Sequence, residues 1–183
     1  MDILAHSLWT AGATIPLRRR FPARLSVGWS VFWGIFPDVF SFAVPAAIRI
    51  WWYVSGTTHS LLPDPHGPQH FNFVWPLYYA SHSLIVFAAA FGIAWLIARR
   101  PVFEMLAWCL HILIDIPTHQ GFFALHFLWP FSSYGFSGIR WENPWFMAAN
   151  YAALLLLYLW MWIAKRRQRS NPDWTRSRTD QTA

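Results

Sequence analysis

Histidine and aspartate occur within stretches of this sequence that are otherwise apolar, and two pairs have the spacing of one helical turn. His111 and Asp115 stand four residues apart, as do Asp2 and His6. On a helix, residues four apart share one face, so each pair would present an imidazole beside a carboxylate. Neutral imidazole and carboxylate are ligands that suit Zn²⁺ and related divalent metals. The spacing therefore indicates candidate metal ligands.

Histidine and aspartate in other apolar segments stand at a similar distance along the chain from the nearest basic residues. An ionisable side chain inside a membrane is costly unless it is paired or functional. At about 1.5 Å per helical residue, all of these residues lie roughly 17–26 Å along the chain from the nearest basic cluster, which predicts a shared metal site. A catalytic zinc needs three protein ligands and an open position, so the other members are candidates for supporting partners or a general base. The full set is Asp2, His6, Asp38, His82, His111 and Asp115.

Each of these residues also has a simpler interpretation. A single buried histidine in a transmembrane bundle is more often a hydrogen-bonding residue than a metal ligand. Asp38 follows Pro37 and could cap a helix, and Asp2 could be a plain charge at a helix N-terminus. Three further histidines of the apparent loop over residues 49–75 are interpreted as solvated, namely His59, His66 and His70.

The composition predicts that a membrane surrounds the elements that carry this set. Of the 183 residues, 56% are hydrophobic and only 12% are charged, against roughly 25% charged in ordinary soluble domains. The single Cys109 excludes a disulfide framework. We expect an all-α, polytopic integral-membrane bundle of about five helices in residues 1–163, followed by a disordered basic tail in 164–183. The expected helices are residues 1–17, 25–48 with a kink or break at its prolines, 76–98 as the clearest span, 101–117 and 145–163.

The basic residues predict an orientation. Twelve of the fourteen Lys and Arg lie at Arg18–Arg24, at Arg99-Arg100 and in the tail from Lys165. The positive-inside rule places these on the cytoplasmic side of a bacterial inner membrane, with the N-terminus outside. The His/Asp set then lies in the outer half of the bilayer. The lipid bilayer is the expected partner of the chain, and nucleic acid is not expected because the tail has no recognisable binding fold.

Short motifs that contain these residues follow the order found in a known family. They are His6, Gly34-Ile35-Phe36-Pro37-Asp38, Ser81-His82-Ser83-Leu84, His111 through Asp115 to Thr118, and Leu128-Trp129-Pro130. Over about residues 2–131 the sequence resembles the YdjM-like family of bacterial inner-membrane metal-dependent hydrolases. The resemblance implies a divalent metal site formed by His6, Asp38, His82, His111 and Asp115.

The sequence departs from the family pattern in the second and third motifs. Phe40 stands where many members carry a second aspartate, which weakens a two-metal interpretation. Ser81 replaces the threonine that precedes the histidine of the third motif. A second copy of that motif, Thr58-His59-Ser60-Leu61, matches the letters better but is followed by Pro63-Asp64-Pro65 instead of a long apolar helix. We therefore favour His82.

The function that these features favour is hydrolysis by a metal-activated water, with zinc as the first candidate metal. Asp38 or His119 is the expected acid or base, although His119 lies just past a helix end and could also be a ligand or a solvated loop residue. A site within the bilayer suits an amphiphilic or lipidic substrate. Two other functions stay open: a proton-coupled transporter, against which the sequence has no visible inverted repeat, and a non-catalytic adaptor that binds through its tail.

Overall fold

A computed structural model describes residues 1–21, 25–59 and 72–169 of the chain. Every regular element in these residues is helical and none is a strand, as the composition predicts. In chain order the elements are α1 Ile3–Arg20, α2 Val27–Val54, α3 Val74–Ser81, α4 Leu84–Ala98, a 3₁₀ helix Phe103–Met105, α5 Leu106–Thr118, a second 3₁₀ helix Gly121–Phe123, and α6 Pro144–Arg169.

Within the described residues, two helices are long and apolar enough to cross a membrane: α2, and α6 over Pro144–Gln168. Helices α3 and α4 meet the same criteria together but are bent by 67°, so there are two candidate spans, or three if the bent pair is one span. These helices are compatible with a membrane protein. The five-helix bundle is not confirmed, because α5 has 13 residues and is only about 20 Å long, against about 30 Å of hydrocarbon core.

The predicted span over residues 76–98 is not one continuous helix, because the helix breaks at His82. Ser83 caps the start of α4 and donates a hydrogen bond of 2.5 Å to the carbonyl of Trp129. The backbone N–H of Leu84 donates to the carbonyl of Phe127 at 2.9 Å. The segment after α5 thus bonds the Leu84 N–H that the break frees from the helix, as an interruption within a membrane would require.

Helix α2 is unbroken, so of the two predicted alternatives for residues 25–48, a kink or a break, the break is wrong. Pro37 and Pro45 both lie inside it, and it runs on to Val54 through residues that the sequence pattern assigns to a loop. Each proline removes one backbone donor from the helix. Helix α2 packs against α1, α3 and α5, and we attribute its continuity through both prolines to these contacts.

Residues Met1–Trp141 form one compact unit, and Glu142–Ala183 form a second, which contains α6. The core of the first unit is aromatic. Trp108 of α5 contacts the rings of Trp33, Phe36 and Phe87, with centroid separations of 5.0–6.0 Å. In the second unit, α6 continues past residue 163 to Arg169, and the rest of the predicted tail lies outside the described residues.

Candidate metal centre

Four ligand-type side chains converge at one point inside the first unit. Asp38 comes from α2, His82 from the break between α3 and α4, and His111 and Asp115 from α5. The Nε2 atoms of His82 and His111 lie 3.2 Å apart, and Asp115 Oδ2 lies 3.1 Å from His111 Nε2. Asp38 Oδ1 lies 3.5 Å from His82 Nε2 and 3.7 Å from His111 Nε2. The structure thus brings together four of the five residues expected to form a metal site.

These separations fit a metal ion. Ligand atoms about 2.0–2.1 Å from a tetrahedral zinc lie about 3.3–3.4 Å from one another. Between the imidazole nitrogens and the nearest carboxylate oxygens, the distances range from 3.1 to 3.9 Å. Two imidazoles and two carboxylates also form a donor set that suits zinc and related divalent metals.

The hydrogen bonds of the two histidines leave their Nε2 atoms free to bind a cation. His111 Nδ1 donates to the carbonyl of Gly34 at 2.8 Å, and His82 Nδ1 donates to the carbonyl of Tyr78 at 3.0 Å. A carbonyl can only accept, so each neutral ring carries its proton on Nδ1 and a lone pair on Nε2. Metal-bound histidines are commonly oriented by a bond of this kind.

Asp115 divides its two carboxylate oxygens between different neighbours. Oδ1 lies 2.6 Å from the Met1 ammonium and 3.4 Å from the hydroxyl of Thr118. Oδ2, on the side of the two histidine Nε2 atoms, is buried and has no hydrogen-bond partner. An unsatisfied buried carboxylate oxygen calls for a compensating group, and a cation between Oδ2 and the imidazoles would provide it.

His6 adjoins the four-residue cluster but lies on its far side. Its ring stacks on that of His111 with a centroid distance of 3.7 Å. Its Nε2 lies 3.0 Å from Asp115 Oδ1, which is not the oxygen that faces the cluster. His6 therefore contacts one ligand and stacks on another, while standing outside the group of four ligand atoms.

His119 is buried, so its interpretation as a solvated loop residue is wrong. Only 7% of the residue is exposed, and its Nδ1 donates to the carbonyl of Asp115 at 3.1 Å. The backbone N–H of Gly138 donates to the carbonyl of His119 at 2.8 Å, which ties the following segment to the end of α5. Burial lowers the pKa of His119 to about 4, so the side chain is neutral at pH 7.

Gly34 permits the close approach of α1 to α2 on which this arrangement depends. A Cβ at position 34 would overlap the Thr10 hydroxyl oxygen. The carbonyl of the same glycine orients His111, and Thr10 lies one turn after His6 on α1. The glycine of the second motif therefore has a packing role and a hydrogen-bonding role.

No protein-family model matches this chain, and neither does any curated protein or solved structure with which it was compared. The similarity to the YdjM-like family remains a prediction from the motifs. The geometry of the cluster is the basis for assigning a function.

Of the remaining candidates, those that the structure describes lie outside the four-atom group. Asp2 caps α1 by accepting from the backbone N–H of Ala5, which favours its interpretation as a helix-terminal charge. Asp38, which belongs to the group, lies in the interior of α2, so the helix-capping alternative for it is wrong. His59 is exposed, whereas His66 and His70 lie outside the described residues.

Two residues that support the cluster are not evident from the sequence. The Ser81 hydroxyl lies 2.9 Å from both His82 Nδ1 and the hydroxyl of Ser41. Trp108 Nε1 donates to the Ser81 carbonyl at 2.6 Å and thereby ties α5 to the break that contains His82. Ser81 precedes His82 in the third motif, so the sequence indicated its position but not its hydrogen bonds. The role of Trp108 depends on which helices pack together, which the sequence does not show.

Proposed function

We propose that this chain is a membrane-embedded hydrolase that depends on one divalent metal, with zinc as the first candidate. The observation that supports the proposal is the convergence of two Nε2 lone pairs and two carboxylates in a buried place within an apolar protein. Buried ionisable groups of this kind are costly in a membrane protein unless they serve a function.

The residues of the cluster have different tasks in this proposal. His82, His111 and Asp115 are at most 1% exposed and would hold the metal. When bound, the metal supplies a Lewis acid and lowers the pKa of a coordinated water to about 7. The Asp38 side chain is 13% exposed, which makes it the member that solvent reaches most easily, and we assign it the role of proton acceptor.

His119 is the alternative base and, in our proposal, a positioning residue. Its Nδ1 bond to the Asp115 carbonyl fixes the end of α5, and its neutral ring adds no positive charge beside the metal. His6 has a similar part, because it stacks on His111 and contacts the outer oxygen of Asp115.

The substrate class and the location belong to the same proposal. A site among apolar helices favours an amphiphilic or lipidic substrate that enters from the bilayer. The distribution of basic residues favours a bacterial inner membrane, with the N-terminus outside and the tail in the cytoplasm.

The metal content of the purified protein tests the proposal. The wild-type chain, without a histidine tag, is compared by elemental analysis with His111→Ala/Asp115→Ala and with the control His59→Ala, whose side chain is exposed. We expect about one equivalent of metal in the wild type and the control and its loss in the double variant, followed by metal-dependent turnover in a panel of esters and phosphodiesters. If the wild-type protein binds none of the three metals zinc, manganese and iron, this result would contradict the proposal and favour a proton-coupled carrier.

A further inference from the structure

A second feature of the first unit is an apolar groove between α1, the start of α2 and the 3₁₀–α5 segment, with a volume of about 410 Å³. This volume lies in the range of small-molecule and cofactor sites. Along α1 the lining runs from Thr10 to Phe21, which is about 16 Å of helix. That length is about half of the roughly 30 Å hydrocarbon core, the depth filled by the acyl chains of one leaflet.

The hydroxyl groups of the groove do not make it a polar site. The Thr14 hydroxyl donates to the carbonyl of Thr10 at 2.7 Å, and the Ser30 hydroxyl donates to the carbonyl of Ser26 at 2.9 Å. Both donors are thus used within their own helices, and most of the other lining side chains are aliphatic or aromatic. The groove is suited to a hydrocarbon chain.

One end of the groove carries positive charge. Arg18, Arg19 and Arg20 form the last turn of α1 and are exposed. The Arg20 guanidinium lies 6.0 Å from the ring centroid of Phe21, which lines the groove. Glu104, next to the lining residue Phe103, carries one negative charge and accepts a hydrogen bond from the backbone N–H of Ser26 at 3.0 Å, so the three arginines outnumber it. Guanidinium groups match phosphate in charge and geometry, so this end suits the headgroup of an anionic lipid.

We propose that the groove binds one acyl chain of an anionic phospholipid, with the lipid phosphate at Arg20. The apolar length, the helix-bonded hydroxyls of Thr14 and Ser30 and the basic end all match this occupant. The site is separate from the metal cluster, because none of the four cluster residues lines the groove. The proposal therefore does not require the chain to bind metal or to hydrolyse a substrate.

Photolabelling of the full chain in vesicles tests the proposal. The chain is reconstituted in phosphatidylcholine with a small fraction of phosphatidylglycerol that carries a diazirine in one acyl chain, and labelled peptides are mapped. We expect labels on lining residues such as Leu17 and Leu110 in excess of those on lipid-facing α4. Labelling that is uniform over all exposed apolar helices would overturn the proposal.

Variants that fill the groove provide the specific test. Ala107→Trp fills it from a buried lining position, and Leu17→Trp does so from a half-exposed one, so the test survives if the first variant fails to fold. Both should lose the groove labels, whereas Ala88→Trp on the exposed face of α4 should keep them. Unchanged labelling in folded Leu17→Trp protein would overturn the site. Arg20→Gln should lose the preference for phosphatidylglycerol over an equally labelled phosphatidylcholine, and equal labelling by the two lipids in the wild type would overturn the anionic assignment.

Discussion

The Nε2 atoms of His82 and His111 lie 3.2 Å apart, although 28 residues separate the two histidines in the chain. Each ring donates its Nδ1 proton to a backbone carbonyl, so the two facing nitrogens both present lone pairs in the neutral state. Two lone pairs at this distance repel unless a cation or a proton lies between them. The carboxylates of Asp38 and Asp115 lie beside the same two nitrogens. A divalent cation, unlike a single proton, can therefore compensate both lone pairs and both carboxylates.

Substitution of the two carboxylates should separate metal binding from turnover. Asp115→Asn is expected to lower metal affinity by at least about tenfold, because Asp115 is fully buried against His111. Asp38→Asn should retain the metal on the three remaining residues but reduce turnover by about 10²–10⁴ if Asp38 accepts the proton. Elemental analysis measures the metal content, and the panel of esters and phosphodiesters measures the turnover.

Glu104→Gln is the matched control for these variants. Its carboxylate bonds the backbone N–H of Ser26, away from the cluster, so neither metal content nor turnover should change. Wild-type turnover in Asp38→Asn would show that the proton acceptor is another residue, and His119→Gln would then be the next variant to measure. Full metal content in Asp115→Asn would contradict the assignment of Asp115 as a ligand.

Four of the six residues that the sequence grouped together form the cluster, because the energetic costs that select them act locally. An ionisable His or Asp in an apolar membrane segment is costly unless it is paired or functional. The i, i+4 spacing of His111 and Asp115 places both on one face of α5. Depth counted from the basic ends then grouped Asp38 and His82 with them. His6 was expected at the same level, and it stacks on His111 but is not one of the four.

The helix break at His82 was not predictable from the apolar pattern. Residues 76–98 form one apolar run, and the bonds that stabilise the break come from Phe127 and Trp129, more than forty residues later in the chain. The continuity of α2 through Pro37 has the same origin, since tertiary contacts outweigh the local preference of proline. Such long-range contacts have no periodic signature in a single sequence.

The hydroxyl of Ser81 should tune metal affinity without being a ligand. It lies 2.9 Å from His82 Nδ1, so Ser81→Ala leaves His82 oriented only by the Tyr78 carbonyl. We expect metal affinity to fall by about tenfold, the lower end of the range for outer partners of metal ligands. Ser30→Ala is the control, since its hydroxyl bonds a carbonyl of its own helix. Competition with a chromophoric chelator measures the metal affinity of both variants. Equal metal affinities of Ser81→Ala and Ser30→Ala would contradict the role of Ser81.

The lowered pKa of His119 predicts a pH dependence of stability in metal-free protein. The pKa is about 4 in the folded chain and about 6.5 in the unfolded chain, so between these values the unfolded state binds more protons. Stability should therefore fall as the pH decreases from about 6.5 to 4, by about 1–3 kcal/mol from this residue. His119→Gln, which does not titrate, should show a shallower decrease in chelator-treated protein. Parallel unfolding curves for the two proteins over this range would contradict a buried, neutral His119.

Replacement of Gly34 by alanine should destabilise the contact between α1 and α2. The new Cβ would overlap the Thr10 hydroxyl oxygen and lie 3.0 Å from Thr10 Cβ, so one helix must move. Overpacking of this kind costs about 1–3 kcal/mol, and the shift should also disturb the bond from His111 Nδ1 to the Gly34 carbonyl. We expect a lower unfolding temperature in detergent together with weaker metal binding.

Gly28→Ala and Thr10→Ala provide the comparison that isolates this contact. A Cβ at Gly28, near the start of the same helix, would meet nothing within 4 Å, so alanine should be neutral there or stabilise by up to about 1 kcal/mol through helix propensity. Thr10→Ala removes the hydroxyl that clashes most closely with the new Cβ at position 34. The double variant Gly34→Ala/Thr10→Ala should therefore recover part of the loss, giving a non-additive cycle. Equal effects of Gly34→Ala and Gly28→Ala would mean that α1 and α2 do not approach each other at Gly34.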